Sequence, residues 1–413
     1  MKTWMLYIGA VLLGLASSLL LHTWESYQPI LQLLVPLMKE ISLFILFPVV
    51  LTLYSAGSAS LLRHRNTPIL YISTLFWALS TTLILTFAAS LAVYFIPEGF
   101  LALPAAASSG GVQVQIPTYE SIKNLIVSDN AFSQLTVTST HLLPMIVVSI
   151  IIGYSIKPNY EAIRPAYVVA NSFAEAILRL SKVTTLLFTL PVFVLSAHFF
   201  SSVQLMSVIV EAMALAGVYG GITVLVLFAL LPLIWGLYTG FRRGNPYRVI
   251  FRGFSALISS FFFQSTIEST MALIALSQQN NRVKKRVAGT AIPLYSIFGK
   301  GGSALLASVT VLVILTGSNM EMNILFIALI ALFSAFVSLV SSFAIKTEVV
   351  FIMLSAYMGI GNSELSVPAA IIILLPLIQG LASLINAAIA LLGAAYSSRI
   401  ISADDIPEHA QTL

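Results

Sequence analysis

The run Ile292-Pro293-Leu294-Tyr295-Ser296-Ile297-Phe298-Gly299-Lys300-Gly301-Gly302-Ser303-Ala304-Leu305 decides how this chain is read, because it sets a lysine among three glycines in a segment otherwise apolar enough to cross a membrane. A lone ammonium near the bilayer centre costs roughly 2.5–3.5 kcal/mol even on lenient insertion scales, so Lys300 must face a protein interior or a wet cavity and find a partner. Gly299, Gly301 and Gly302 weaken the helix there. Broken backbone at membrane depth is tolerated only where it packs in protein or lines a cavity. A site is therefore expected at this break.

The rest of the chain supplies the membrane context. Of 413 residues, 58% are hydrophobic and only 8% charged, with a mean hydropathy of +0.98, which is far too apolar for a soluble protein of this length. The expected class is an all-α polytopic membrane protein. The apolar run from Met5 to Leu21 reads as a first membrane helix rather than a signal peptide, since no small-residue cleavage site leads into a soluble region. The absence of cysteine removes disulfides and thiolate metal sites. The net charge of +5 reflects topology rather than nucleic acid. With no His/Cys/Asp cluster, no phosphate-cradling loop and no nucleophile elbow, neither an enzyme nor a cofactor is expected.

Spans long enough for roughly 30 Å of hydrocarbon run from Met5 to Leu21, Leu34 to Ala56, Tyr71 to Phe95, Leu142 to Ile156, Ala166 to Phe199, Val203 to Tyr238, Val287 to Leu315 and Ser366 to Ile400. Basic residues gather at Arg63-His64-Arg65, at Lys157 and Arg164, at Arg242-Arg243 with Arg248 and Arg252, and from Arg282 to Arg286. The positive-inside rule places these loops and both termini in the cytoplasm. Residues 98–138 then form an extracytoplasmic loop, and 403–413 a cytoplasmic tail. The topology closes only if segments 252–278 and 323–358 dip into the membrane and return, the first from inside and the second from outside. Their midpoints are the polar run Gln264-Ser265-Thr266-Ile267-Glu268-Ser269-Thr270 and the triplet Lys346-Thr347-Glu348. The separation from Glu268 to Lys300 equals that from Glu348 to Gly380, so each unit reads as a hairpin with a charged tip followed by a helix broken at a polar glycine. Paired units of this kind are the pattern of inverted-repeat transporters.

At these residues the chain resembles a known family. The opening run matches, without a gap, the seventh-helix signature of the sodium:dicarboxylate symporters, the glutamate transporter family: Leu-Pro-Leu-Gly-Ala-Thr-Ile-Asn-Met-Asp-Gly-Thr-Ala-Leu. The Ser/Thr-rich first tip, the basic loop after it and Asn171-Ser172-Phe173-Ala174-Glu175-Ala176 also look like family positions. The resemblance implies eight membrane helices with two re-entrant hairpins in an elevator fold, assembled as a homotrimer in the plasma or inner membrane. A scaffold would comprise about 1–66 and 139–200, and a transport unit about 67–97 and 203–402.

The same comparison exposes departures. Gly299 and Gly301 stand where the family has sodium-ligating Asn and Asp. Matching on Asn386, the substrate-amine Asp becomes Gln379, the substrate-carboxylate Arg becomes Ala382, a Thr becomes Ser383 and a sodium-binding Asp becomes Ala390. Hard cations need oxygen ligands, so sodium coupling does not carry over. Lys300 is read instead as a built-in positive charge with Glu268 as its candidate counter-charge, and Lys346 with Glu348 as a second pair. Proton coupling through Lys300 follows if its ammonium titrates on desolvation. The candidate substrate-binding residues are Ser265, Thr266, Glu268, Ser303, Lys346, Glu348, Gln379, Ser383 and Asn386. Gln379, Ser383 and Asn386 share one helix face, a pattern that interhelical hydrogen bonds alone would also give. Ser265, Thr266 and Ser269 would equally serve to bond the backbone of a turn. Glu175 and Arg179, four apart, are expected to pair along their helix. The functional expectation is a secondary transporter of a small polar or anionic organic solute, such as a dicarboxylate or amino acid, with membrane lipid as its surroundings. The alternative is a non-coupled member acting as an anion-conducting or scaffold protein.

Overall fold

The computed structural model describes residues 3–21, 23–63, 67–101, 112–113, 142–156, 160–204, 209–241, 244–317, 323–340, 348–359 and 366–401. Lys346 and Thr347, His22 and His141, much of the 98–138 loop and the 403–413 tail lie outside these residues. The described chain is helical apart from one pair of two-residue strands, β1 (Val112–Gln113) and β2 (Ser366–Val367), which run antiparallel with Val112 opposite Val367.

Among the described residues seven helices are long and apolar enough to cross a membrane. The first three are α1 (Thr3–Leu21), α2 (Tyr27–Arg63) and α3 (Thr67–Tyr94), followed after a short α4 (Glu98–Leu101) by α5 (Leu142–Ser155), shorter than those three. With 14 residues, α5 is only about 21 Å long. The expected fifth span is two helices, α6 (Arg164–Leu187) and α7 (Thr189–Gln204), parted at Phe188. Only its second part, Thr185–Ser202, is apolar enough to span. The reason is compositional, since α6 carries Asn171, Glu175 and Arg179.

The sixth span is a composite of α8 (Ile209–Leu225), a π-helical turn over Val226–Leu230, and α9 (Leu231–Thr239). Pro232 explains the turn: it has no N–H to donate and its ring would clash with the carbonyl four residues back. That carbonyl belongs to Phe228, and the hydroxyl of Tyr247 donates to it at 2.9 Å. The lost helical bond is thus replaced from the next helix, α10 (Pro246–Arg252).

Next come α11 (Phe254–Phe263) and α12 (Thr270–Gln279), joined by the turn 264–269. Each has ten residues, about 15 Å, or half the hydrocarbon thickness. The chain returns to where it began: Asn280 Nδ2 donates to the carbonyl of Arg252 at 2.8 Å, and Asn281 Nδ2 to that of Val249 at 3.2 Å. The seventh span follows as α13 (Lys285–Phe298) and α14 (Gly301–Gly317), interrupted at Gly299-Lys300 as the opening sequence run predicts. Helices α15 (Ile324–Val340) and α16 (Glu348–Gly359) pack on each other and on α14, and α17 (Ala369–Ile400) closes the fold.

The inverted-repeat reading fails at one point. Helix α17 runs unbroken through Gln379-Gly380, whereas a second break was expected there. Gly380 serves close packing instead: a Cβ at this position would lie 2.9 Å from the Phe261 ring of α11.

The core sits around α13 and α14, where every residue from Gly301 to Leu315 is buried. Helix α3 packs along α14, α2 along α13, and α17 against α11, α13 and α14. Large apolar side chains are instead exposed on the periphery, including Leu20, Leu33, Phe44 and Phe95. Small hydroxyl residues such as Thr81, Thr86, Ser90, Ser308 and Thr310 are buried. Such inversion suits a lipid surround, where small and polar residues rather than bulky apolar ones favour helix–helix contact.

Candidate functional site

The break at Gly299-Lys300 leaves the first N–H groups of α14 without helical partners, and a side chain from α17 takes them. Asn386 Oδ1 accepts from the backbone N–H of Gly302 at 2.7 Å and of Ser303 at 3.4 Å, while its Nδ2 donates to Ser303 Oγ at 2.8 Å. This is helix capping supplied from a distance. It requires α17 to come very near, and Gly302 permits that: a Cβ there would run into the carbonyl oxygen of Ala382 and lie 2.7 Å from Ile385 Cβ. Ser383, one turn before Asn386, shares a 2.6 Å hydroxyl contact with Ser260 of α11. Two members of the polar stripe on α17 therefore fasten neighbouring helices together.

The turn between α11 and α12 also uses its polar residues locally. Ser265 Oγ accepts from the N–H of Glu268 at 3.4 Å, and Ser269 Oγ donates to the carbonyls of Ser265 and Thr266. Gln264 begins the turn with φ +57°, a left-handed conformation uncommon outside glycine. Thr266 differs: its Oγ1 is buried with no hydrogen-bond partner among the described residues.

These elements converge on one cavity, lined by Gln264, Ser265, Thr266, Ser303, Glu348, Val349, Gln379, Ala382, Ser383 and Asn386. It leaves about 10 Å³ for the centre of a water-sized sphere, room for about one water. A larger solute fits only if the surrounding helices part. The structure brings together Ser265, Thr266, Ser303, Glu348, Gln379, Ser383 and Asn386 of the expected set, while Glu268 does not line the cavity and Lys346 is outside the described residues.

The charge pairing differs from expectation in three places. Lys300, 2% exposed, pairs with Glu348 at 2.8 Å rather than with Glu268. Glu268 instead faces Lys39 of α2, with Nζ and Oε2 3.7 Å apart. Sequence reasoning missed Lys39, although the rule that singled out Lys300 applies equally to a lysine inside the Leu34–Ala56 span. The third difference is Glu175, which pairs with Lys285 of α13 at 2.8 Å. Sequence spacing favours a neighbour on the same helix, but a long lysine from a packed helix reaches it.

At the family's sodium positions the packing leaves little room for oxygen. A Cβ on Gly301 would lie 2.8 Å from Ile389 Cδ1 and 3.2 Å from Thr82 Cα, and Ala390 is fully buried. No group of three or more His, Cys, Asp or Glu able to hold a metal occurs among the described residues.

Comparison with curated proteins finds none that matches this chain. A family model does: that of the sodium:dicarboxylate symporters matches residues 3–403, nearly the whole chain. Its members are transporters, not enzymes, and the seven long apolar helices agree with a multi-pass membrane protein. The chain belongs to the sodium:dicarboxylate symporter family.

Proposed function

We propose that this protein is a secondary transporter for a small polar or anionic organic solute, in which the ammonium of Lys300, held by Glu348, stands in place of the sodium that relatives bind. The observation that carries the reading is convergence. The α11–α12 turn, the break before α14, the first residue of α16 and the polar stripe of α17 meet at one cavity, with a buried ion pair at its edge. Gln379 in place of the family's Asp removes the anchor for an amino group, and Ala382 in place of its Arg removes the bidentate anchor for a carboxylate. The buried hydroxyl of Thr266, Glu348 Oε1 and the amides of Gln264 and Gln379 are polar groups of the lining that could bind solute. Typical acidic amino acids are accordingly poorer substrates than neutral polar solutes or monoanions.

In this reading α11–α12 and α15–α16 are re-entrant hairpins, and they move with α3, α8, α9, α13, α14 and α17 as an elevator against a scaffold of α1, α2, α5, α6 and α7 within a homotrimer. The small volume of the cavity supports alternating access, because a solute larger than a water enters only when a hairpin opens. The test is uptake of a labelled panel of amino acids and dicarboxylates into reconstituted vesicles under imposed proton or sodium gradients. Accumulation above equilibrium without sodium is expected. Uptake that never exceeds equilibrium with any gradient would favour an anion-conducting or scaffold role.

A further inference from the structure

Glu268 is a buried charge that does not line the cavity. Glu268, 3% exposed, sits in the turn between α11 and α12, and its carboxylate meets Lys39 of α2 at 3.7 Å. That separation makes an ion pair but is too long for a hydrogen bond. Lys39 keeps its side chain 29% exposed, whereas that of Glu268 is 4% exposed. The two ends are unequal: Lys39 retains hydration if the pair parts, and Glu268 does not.

The surroundings limit which groups share this role. Helix α2 adds Glu40, which is exposed, beside Lys39, and ends at Arg63, more than six turns further along. Helix α7 offers His198, within electrostatic reach of Lys39. On α6, Glu175 is held by Lys285 and Arg179 is exposed. Helix α1 has no charged residue among its described positions. The charges of α13 and α17, Lys285, Arg286 and Arg399, sit in the first turn of α13 and the last turn of α17. Lys300, at the break, is bound to Glu348.

We propose that Glu268 is the proton-binding site of the transport cycle, and that its ion pair with Lys39 is a latch between α2 and the α11–α12 hairpin which a proton opens. This rests on the reading above, in which the hairpin moves relative to α2. Sliding the hairpin with Glu268 ionised carries a carboxylate away from its counter-charge through a medium that solvates it poorly. Adding one proton from solvent to the carboxylate gives a neutral acid, and Lys39 keeps its own charge toward water. The neutral hairpin then moves freely. Lys300 is ill-suited to this task, because its buried side chain lies 2.8 Å from Glu348. Proton coupling is thereby assigned to a carboxylate facing the scaffold rather than to the lysine at the cavity.

The chain has no cysteine, so a label pair can be placed cleanly on Leu33 of α2 and Phe251 of α10, both well exposed. Pulsed EPR distances on the full-length, spin-labelled protein in lipid nanodiscs would be recorded between about pH 4 and pH 8. The wild type should redistribute between two distances by tenfold or more across this range. Glu268→Gln should show the acid distribution at every pH. Lys39→Met should move the transition to higher pH, and the exchanged pair Lys39→Glu with Glu268→Lys should restore a pH-dependent distribution. A wild-type transition preserved intact in Glu268→Gln would overturn the latch while leaving a moving hairpin. A single distance in all variants at all pH values would overturn both the latch and the moving-hairpin reading.

Discussion

Lys300 Nζ lies 2.8 Å from Glu348 Oε2, so the break between α13 and α14 is bound to the first residue of α16. The Lys300 side chain is buried and that of Glu348 largely so, at 3% and 13% exposure. Removing one partner leaves an uncompensated charge, a loss of about 3–5 kcal/mol, while replacing both by apolar groups is close to neutral. Lys300→Met should therefore lower the unfolding temperature in detergent sharply, and Lys300→Met with Glu348→Met should recover most of it. If the double variant is as unstable as the single one, the pairing is wrong. The stabilised double variant should still lack gradient-driven accumulation, because the charge at the cavity edge is gone.

Asn386 is predicted to matter as a cap before it matters as a ligand. Its carboxamide satisfies two N–H groups of α14 and one hydroxyl, and loss of a cap costs about 0.5–2 kcal/mol. Asn386→Ala should reduce stability by that amount and raise hydrogen exchange selectively at Gly302 and Ser303. Exchange unchanged at those amides would refute the capping role. Asn386→Asp keeps the acceptor and should preserve the protection of Gly302, with the Ser303 hydroxyl now donating to the second carboxylate oxygen.

Gly302→Ala tests the close approach of α14 and α17. The added methyl meets backbone at Ala382 as well as the Ile385 side chain, and backbone cannot swing aside. Overpacking of this kind costs about 1–3 kcal/mol, and uptake should fall together with stability. At Gly380 the neighbour is partly an aromatic ring edge of Phe261, which can shift, so Gly380→Ala should cost less. A larger loss at Gly380 than at Gly302, measured by thermal unfolding, would reverse this ordering.

The Glu175–Lys285 pair provides a contrast. Its side chains are 41% and 54% exposed, and such pairs contribute about 0–1 kcal/mol because water and salt screen them. Glu175→Gln should leave unfolding within about 1 kcal/mol of the parent, with any effect shrinking as salt rises. A loss comparable to that of Lys300→Met would show that the region is far less wet than its exposure indicates.

Sodium offers a direct check on the substituted positions. Replacing sodium by choline in the uptake assay should leave the rate unchanged, since Gly299, Gly301 and Ala390 have no side-chain oxygen. Installing Gly301→Asp alone should not restore dependence, because Ile389 and Thr82 fill the space its side chain needs. A steep sodium dependence of the parent protein would contradict the internal-cation reading.

By itself the sequence determined the features that depend on local chemistry. Hydrophobic length fixes where a chain can cross a bilayer, so most spans could be placed, and a lysine among glycines breaks a helix wherever it stands, so the interruption before Gly301 was readable. The stripe Gln379, Ser383 and Asn386 was legible too, because helical periodicity puts those positions on one face. Only the tertiary structure decided which charge meets which, and whether a glycine breaks a helix or admits a neighbour. Lys300 took Glu348, Glu268 took Lys39 and Glu175 took Lys285, while Gly380 proved to be a contact with Phe261 inside an unbroken helix. The reason is physical: an ion pair is selected by separation in space, and spacing along the chain does not carry that once helices pack against each other.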